Sequence, residues 1–230
     1  GRAQADANPL SYFVDDENSP RLFMGYAVAA LRLQQQLKEQ QITVDKEHPL
    51  FVYLPAGVGG APGGITFGLK SIFGDAVHCF FAEPVQAPCM LLGMAGEPLS
   101  DPVPVYDFNL KIATDADGLA VGTASKWVCD AIRDDLSGVF TCRDDALYQH
   151  LLQLSQLEGI QVEPSAAIGC MGPAFMHTPA GAHYINEHQL TKQLQNATHL
   201  VWTTGGSFVP DSEYRSFLAK AIEKSNTKVS

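Results

Sequence analysis

A glycine-rich segment between two apolar stretches constrains the fold of this chain most. The apolar run at residues 50–54 stops at Pro55, and AGVGGAPGG follows at residues 56–64. Beyond it, ITFGLKSIFG has apolar or small residues at i, i+3, i+4, i+7 and i+8 from Ile65, the spacing of one helix face. The segment therefore predicts a strand, a glycine loop and a helix, in that order.

The glycine loop is typical of a phosphate site. Glycine accepts positive φ and lets an anion approach the backbone closely, and a helix N-terminus adds free N–H groups and a positive dipole end. Neither common nucleotide motif fits, since no GK[ST] follows the loop and a GxGxxG begun at Gly57 meets Pro62 at its third glycine. The loop thus predicts a phosphate but not a nucleotide, with simple chain reversal as the alternative.

Length and composition favour one globular domain. The 230 residues fit one large domain or a pair of small ones, and the contents of 46% hydrophobic and 17% charged residues are globular values. We expect a single α/β domain over residues 1–230. A net charge of −10 argues against a nucleic-acid partner. No apolar run approaches the roughly 18 residues of a membrane helix, so no membrane partner is expected.

The cysteines and the N-terminal sequence indicate a cellular setting. Five scattered cysteines without a CxxC pair are typical of reduced thiols in the cytoplasm. The opening GRAQADANPLSYFVDDENSP lacks the basic and apolar regions of a secretory signal. It resembles the interior of a longer polypeptide.

Hydrophobic periodicity predicts a three-layer α/β/α fold with a mainly parallel sheet. Strands are expected at residues 50–54, 77–82, 103–106, 160–162 and 199–203. Helices are expected at 20–39 with Ser19 as N-cap, to 73 after the glycine loop, at 88–94, in part of 119–136, at 146–158 capped by Asp144, from 165 to a break at Pro173, and at 211–224. Residues 177–192 carry no clear signal.

Polar residues follow several of these strands. Ligands of parallel sheets bind at the carboxyl ends of the strands, so the glycine loop, Glu83, Glu163 and Thr204 are expected to face one crevice. The alternatives are carboxylates that cap the next helix and a threonine hydroxyl that bonds its own turn.

The remaining candidate residues show weaker signs of a functional role. Cys89 and Cys170 are predicted to be inert core thiols. His183, Glu187 and His188 come close to an HxxEH zinc motif, but one residue too many separates them, so no metal is predicted there.

Several rare strings resemble, in order, the D-serine dehydratases (D-serine ammonia-lyases). This family belongs to the fold type II pyridoxal-phosphate (PLP) enzymes, with threonine deaminase and serine racemase. The strings are DDENSPRLFMGYAVAALRLQQQL, LPAGVGGAPGGITFGLKSIFGDAVHCFFAEP, PCMLLG, ADGLAVGTAS, VEPSAA and HLVWTTGG. The resemblance covers essentially all 230 residues and corresponds to the C-terminal half of the family, within its large PLP-binding domain.

The resemblance implies a set of cofactor contacts. Gly57, Gly59 and Gly60 match the loop that binds the PLP phosphate through backbone amides, with Val58 and Ala61 in the same loop. Ala61 stands where close relatives often have glycine, a change that a backbone contact would survive. Thr204 matches the hydroxyl partner of the pyridine nitrogen, which leaves that nitrogen neutral and favours β-elimination over transamination.

The resemblance also implies a monovalent cation, and it shows that the Schiff-base lysine of the family is missing from this chain. Glu83 lies where related enzymes place a cation ligand, and a carbonyl ligand falls near Ala87. Cys89 stands where some relatives carry an aspartate, which is a departure from the ligand set of the family. The Schiff-base lysine of the family stands in an SxKxRG-type motif of the N-terminal half. No lysine here has that context: Lys38, Lys46, Lys70, Lys111, Lys126, Lys192, Lys220, Lys224 and Lys228.

The resemblance implies that this chain is part of an enzyme. The intact protein is expected to convert D-serine to pyruvate and ammonia by α,β-elimination, with an amino acid as substrate and the missing N-terminal half as partner. Without the lysine, this chain alone is expected to be inactive. The alternatives are a phosphate-ligand binding module without turnover and a fold type II lyase for threonine or L-serine.

Overall fold

The computed structural model describes residues 1–227 of the chain. The strands are β1 (Leu50–Pro55), β2 (Val77–Pro84), β3 (Gly138–Cys142) and β4 (Thr198–Val201). The helices are α1 (Arg2–Asp6), α2 (Pro20–Glu39), α3 (Gly60–Phe73), α4 (Cys89–Ala95), α5 (Lys126–Ile132), α6 (Asp144–Gln153), α7 (Pro164–Ala167), α8 (Gly172–Phe175), α9 (Pro179–Glu187) and α10 (Asp211–Thr227).

The four strands form one parallel sheet in the order β3-β2-β1-β4. Leu50 in β1 is level with Val77 in β2 and with Thr198 in β4. Every residue of β1 and β2 is buried, as expected for central strands covered on both faces.

Side chains alternate along the strands and supply a core on each face of the sheet. Val52 and Leu54 pack into one core with residues of α2, α3, α4 and α5. Phe51 and Tyr53 point the other way, into a core completed from α6, α9 and the segment that joins α7 to α8. The sheet therefore lies between two helical layers, which confirms the predicted three-layer α/β/α class.

Glycines let α3 pack closely against α2. A Cβ on Gly64 would lie 2.2 Å from the carbonyl oxygen of Phe23, and one on Gly68 would lie 2.6 Å from that of Ala27. Since α3 begins at Gly60 rather than near Ile65, Gly64 serves helix packing and not a loop. The prediction that Gly64 belongs to the glycine loop ahead of the helix was therefore wrong.

Helix α2 begins as predicted. Ser19 is its N-cap, with the hydroxyl accepting the N–H of Leu22 at 3.2 Å, and Pro20 occupies the first turn. The cap predicted at Asp144 was wrong, because Asp144 lies inside α6 and accepts instead from the Thr114 hydroxyl (2.8 Å) and the N–H of Asp115 (2.7 Å).

Some predicted strands and breaks were wrong. Residues 103–106 form no strand, because Pro104 has no N–H to donate and Val105–Phe108 is a 3-10 turn. Residues 160–162 also lie outside the sheet, as a connection between α6 and α7. Pro173 falls in the first turn of α8 instead of breaking a helix. Strand β3 was not predicted, and α9 occupies part of the segment left unassigned.

The described part of the chain holds no helix with both the length and the apolar character needed to cross a bilayer. Helix α10 occurs where the final amphipathic helix was predicted, and its Tyr214 packs with Leu151 of α6 and Val162.

Candidate functional site

The glycine loop leaves a group of backbone donors without partners. Gly59 has φ +104° and precedes the first turn of α3, which begins at Gly60. The N–H of Gly63 closes that turn on the carbonyl of Gly59 at 2.8 Å. Within residues 1–227, the N–H groups of residues 57–61 donate no hydrogen bond. These amides stand at the end of a buried strand and at a helix N-terminus, a combination that suits an anion.

Side chains could not be added to this loop without displacing its surroundings. A Cβ on Gly59 would lie 2.6 Å from the Met90 sulfur, and the left-handed φ excludes most other residues. A Cβ on Gly57 would meet Val121 at 3.2 Å, and one on Gly60 would meet the Asp16 carbonyl at 3.1 Å. The loop is therefore confined by the side chains of Met90 and Val121 and by the backbone of Asp16.

A cleft of about 770 Å³ opens over this loop. The side chains and backbone that line it include residues 57–62, Glu163 and Thr204. The sequence prediction that these strand ends share one crevice is confirmed for them. Glu83 does not line the cleft, so the prediction was wrong for that residue.

Glu83 caps a helix instead. It is fully buried, and its carboxylate oxygens accept the N–H groups of Met90 (2.7 Å) and Leu91 (2.9 Å) at the start of α4. The capping alternative for this residue is therefore confirmed. Burial raises the pKa of Glu83 to about 7, against the opposing effect of the two backbone N–H bonds.

Glu163 and Thr204 come from neighbouring segments. The N–H of Glu163 donates to the carbonyl of Gly205 at 3.2 Å, which joins the two segments at the cleft. The Glu163 carboxylate caps no helix, and burial, followed by the nearby Asp117, raises its pKa. Within the described chain the Thr204 hydroxyl has no hydrogen-bond partner, so the alternative of a turn-bonded hydroxyl is not observed.

The cleft has further walls that the sequence did not indicate. Gly118, Leu119 and Val121 form one wall, and the acidic run at residues 15–17 forms another. Gly118 is held there by its N–H bond to the Ser165 hydroxyl at 3.1 Å. Neither segment follows a strand or shows periodicity, so pattern analysis had no signal for them. A turn sequence, DADG, marks the first.

The cleft is acidic apart from one arginine. Arg2 lies on its rim and pairs with Asp15, and the Arg2 hydrogen bond lowers the pKa of that carboxyl. No lysine among residues 1–223 lines the cleft, and the side chain of Lys224 lies outside the described part of the chain. Lys228 lies outside the described residues.

The other candidates lie apart from the cleft. The Cys89 thiol is buried and donates to the Gly57 carbonyl at 3.2 Å, and burial raises its pKa. His183 and Glu187 are exposed and 3.7 Å apart on α9. Among the described residues, no three histidine, cysteine or carboxylate side chains group as metal ligands.

Comparison with known proteins identifies the class that this fold and cleft define. The family model for pyridoxal-phosphate dependent enzymes matches residues 2–178. The chain belongs to that family.

Individual relatives carry more specific names than the family does. A probable D-serine dehydratase from Hahella chejuensis (strain KCTC 2396) is 64% identical over 225 residues, which are 98% of this chain and 52% of that protein. Another, from Bacillus mycoides (strain KBAB4), is 53% identical over 224 residues, 97% of this chain and 50% of that protein. The chain thus spans about half the length of these relatives.

A solved structure shares the fold. Diaminopropionate ammonia lyase from Escherichia coli, in complex with D-serine, matches with a TM-score of 0.69 at 23% identity. The match covers 94% of this chain and 53% of the lyase.

Proposed function

We propose that this chain is the C-terminal part of a PLP-dependent D-serine dehydratase, which converts D-serine to pyruvate and ammonia by α,β-elimination. The observation that carries the proposal is the 64% identity to a probable D-serine dehydratase over 98% of the chain. The acidic, glycine-rich cleft at the carboxyl end of the sheet is its candidate active site.

The glycine loop fits the phosphate of PLP. Its free amides, its helix N-terminus and its closely confined backbone are features that bind a phosphate dianion. In this proposal the N–H groups of Gly57, Val58, Gly59, Gly60 and Ala61 hold the phosphate. PLP, when bound, supplies the electron sink for the reacting amino acid.

Thr204 is proposed as the partner of the pyridine nitrogen. Its hydroxyl is free within the described chain and faces the same cleft as the glycine loop. A hydroxyl cannot hold that nitrogen protonated as a carboxylate can, so the ring remains neutral and elimination is favoured over transamination. Glu163 lies beside the Thr204 segment, where burial raises the pKa of its carboxyl.

The lysine that binds PLP covalently and moves the α-proton is proposed to come from the other half of the intact protein. No described lysine lines the cleft, and the relatives are about twice as long as this chain. The 230-residue chain alone is therefore expected to be inactive, with the other half as its partner. Five free cysteines favour a reducing compartment such as the cytoplasm.

The test is a comparison between the chain alone and the chain combined with its complement. The purified chain and the intact protein are each given PLP and D-serine, with L-serine and L-threonine as matched substrates. Pyruvate from D-serine by the intact protein, and none by the chain, is the expected result. Co-expression with the N-terminal half of a relative should restore activity to the chain.

Three results would overturn parts of the proposal. A preference of the intact protein for L-serine or threonine would make it a different lyase. Phosphate or PLP binding by the intact protein without turnover of any amino acid would make it a binding module. Pyruvate production by the purified chain alone would show that a residue present here replaces the lysine.

A further inference from the structure

A short apolar segment beside the glycine-loop cleft is exposed to solvent. Residues 11–14 have the sequence SYFV and form neither a helix nor a turn. Tyr12 and Val14 are 56% and 55% exposed, and Phe13 between them is 39% exposed. Single exposed apolar residues are common on protein surfaces, but a run of large ones marks an interaction site.

The main chain of this segment is unpaired as well. Among residues 1–227, no hydrogen bond involves the backbone N–H or carbonyl group of Tyr12, Phe13 or Val14. Tyrosine, phenylalanine and valine are all favoured in strands. The segment therefore combines the composition of a strand with backbone groups that are free to pair.

The side chains of the segment also alternate as those of a strand do. Phe13 lines the cleft, where the guanidinium carbon of Arg2 lies 4.9 Å from its ring centroid. Tyr12 and Val14 do not line the cleft, and the Tyr12 ring packs instead against Arg21 of α2, at 4.8 Å. One face of the segment thus belongs to the cleft, and the other carries the more exposed apolar side chains.

Contacts directly after the segment fix its place beside the glycine loop. Asp15 pairs with Arg2, and the carbonyl of Glu17 accepts the hydroxyl of Ser125. The carbonyl of Asp16 lies so close to α3 that a Cβ on Gly60 would be 3.1 Å from it. A polypeptide that paired with residues 11–14 would therefore be held at the edge of the cleft.

We propose that residues 11–14 pair as a β-strand with the other half of the intact protein, by the addition of one strand to a sheet edge. The relatives are about twice as long as this chain, so a polypeptide of similar size is available to cover the segment. This pairing presupposes the division of the protein proposed above, in which that half brings a lysine to the cleft. A second copy of this chain would bring only another cleft of the same kind.

The test follows hydrogen–deuterium exchange of the intact protein by mass spectrometry, in peptides that contain residues 11–14. Strand pairing should slow the exchange of these amides at least about a hundredfold relative to a free peptide of the same sequence. Exchange at the rate of the free peptide would overturn the proposal. Slow exchange that depends on protein concentration would also overturn it, because the partner would then be a second copy.

Two variants test the apolar face of the segment. Tyr12→Ser and Val14→Ser should each speed the exchange of these amides about tenfold, because a buried apolar contact with the other half is lost. Leu157→Ser is the matched control, since Leu157 is an exposed apolar residue that does not line the cleft, and it should leave the rate unchanged. Rates that neither segment variant alters would contradict the proposed contact.

The result can be separated from the test of the reaction. Slow exchange in an intact protein that converts no amino acid would reject the function proposed above and retain the strand. Fast exchange in an intact protein that forms pyruvate from D-serine would reject the strand and retain the function. Because exchange is measured on the wild type, the test does not depend on the folding of any variant.

Discussion

The backbone N–H of Ser125 donates to the carbonyl of Val58 at 3.0 Å. The same serine donates its hydroxyl to the carbonyl of Glu17 and accepts the N–H of Val128 at 3.2 Å, as the N-cap of α5. One buried residue therefore joins the glycine loop, the acidic segment before α2 and the start of α5. This connection anchors the glycine loop to both segments.

Replacing Ser125 with alanine is expected to act on both stability and the cofactor. Loss of the N-cap should lower the free energy of unfolding by about 1 kcal/mol, measured by urea denaturation. Loss of the bond to Glu17 should also loosen the acidic wall of the cleft and weaken PLP binding by the intact protein. Ser71→Ala is the control, since the Ser71 hydroxyl bonds the Phe67 carbonyl on an exposed surface. Equal effects of the two variants would contradict the role given to Ser125.

Gly59→Ala should destabilise the chain by about 2 kcal/mol or more, because it combines a left-handed φ with a crowded site. Gly59→Asp should in addition repel the phosphate and abolish PLP binding by the intact protein. Gly25→Ala is the control in α2, where a Cβ meets nothing within 4 Å. It should stabilise the helix by about 1 kcal/mol. A Gly59→Ala protein as stable as wild type would show that the loop is not confined.

His78 should make the chain less stable in acid. Burial, followed by the charges of Lys70 and His188, lowers its pKa from 6.5 to about 4, against the opposite effect of Asp75. The folded state thus favours the neutral ring, and its contribution, present above pH 6.5, is lost as the pH falls toward 4. The loss is on the order of 3 kcal/mol. The unfolding temperature of His78→Phe, measured across this pH range, should not show that loss. A pH profile parallel to that of the wild type would refute the assignment of the loss to His78.

Glu83 should act in the opposite direction. Burial raises its pKa from 4.5 to about 7, so protonation of Glu83 stabilises the folded state. This contribution to stability is complete below pH 4.5. That contribution, on the order of 3 kcal/mol, is lost as the pH rises through 7. Glu83→Gln should therefore unfold at a temperature that no longer falls between these values.

The same variant tests the monovalent cation that the family resemblance implies at Glu83. A bound monovalent cation would stabilise the charged carboxylate, so potassium chloride should raise the unfolding temperature of the wild type at pH 8 more than tetramethylammonium chloride does. The difference should vanish in Glu83→Gln. Identical curves in the two salts for the wild type would leave Glu83 with only its observed role, as the cap of α4.

The sequence predicted the central strands and the cleft more fully than the edges. Strands β1 and β2 are continuous apolar runs, whose signal is independent of their neighbours. Strand β3 is short, begins at Gly138 and exposes Thr141, so its pairing with β2 is set by tertiary contact rather than by its own pattern. Likewise Gly118 reaches the cleft through a bond to Ser165, 47 residues away. A local sequence pattern carries no information on a contact between residues so far apart along the chain.

The last prediction concerns Thr204, which ends the segment after β4 and is exposed at the cleft. Thr204→Ala should leave the unfolding temperature unchanged, because the hydroxyl has no partner within the described chain. It should weaken PLP binding by the intact protein by about 1 kcal/mol, or roughly fivefold, through the loss of one neutral hydrogen bond. Thr203→Ala, which does not face the cleft, is the control.

The variant Thr204→Asp tests whether residue 204 sets the protonation of the pyridine nitrogen or only makes a hydrogen bond to it. A carboxylate beside the pyridine nitrogen would hold it protonated, which draws more electron density into the ring and favours transamination over elimination. The ratio of pyridoxamine phosphate to pyruvate formed from D-serine should therefore rise in Thr204→Asp and stay at the wild-type value in Thr203→Asp. A rise in Thr203→Asp alone would move the assignment to Thr203. An unchanged ratio in both variants, with PLP still bound, would mean that neither hydroxyl sets the protonation of the ring.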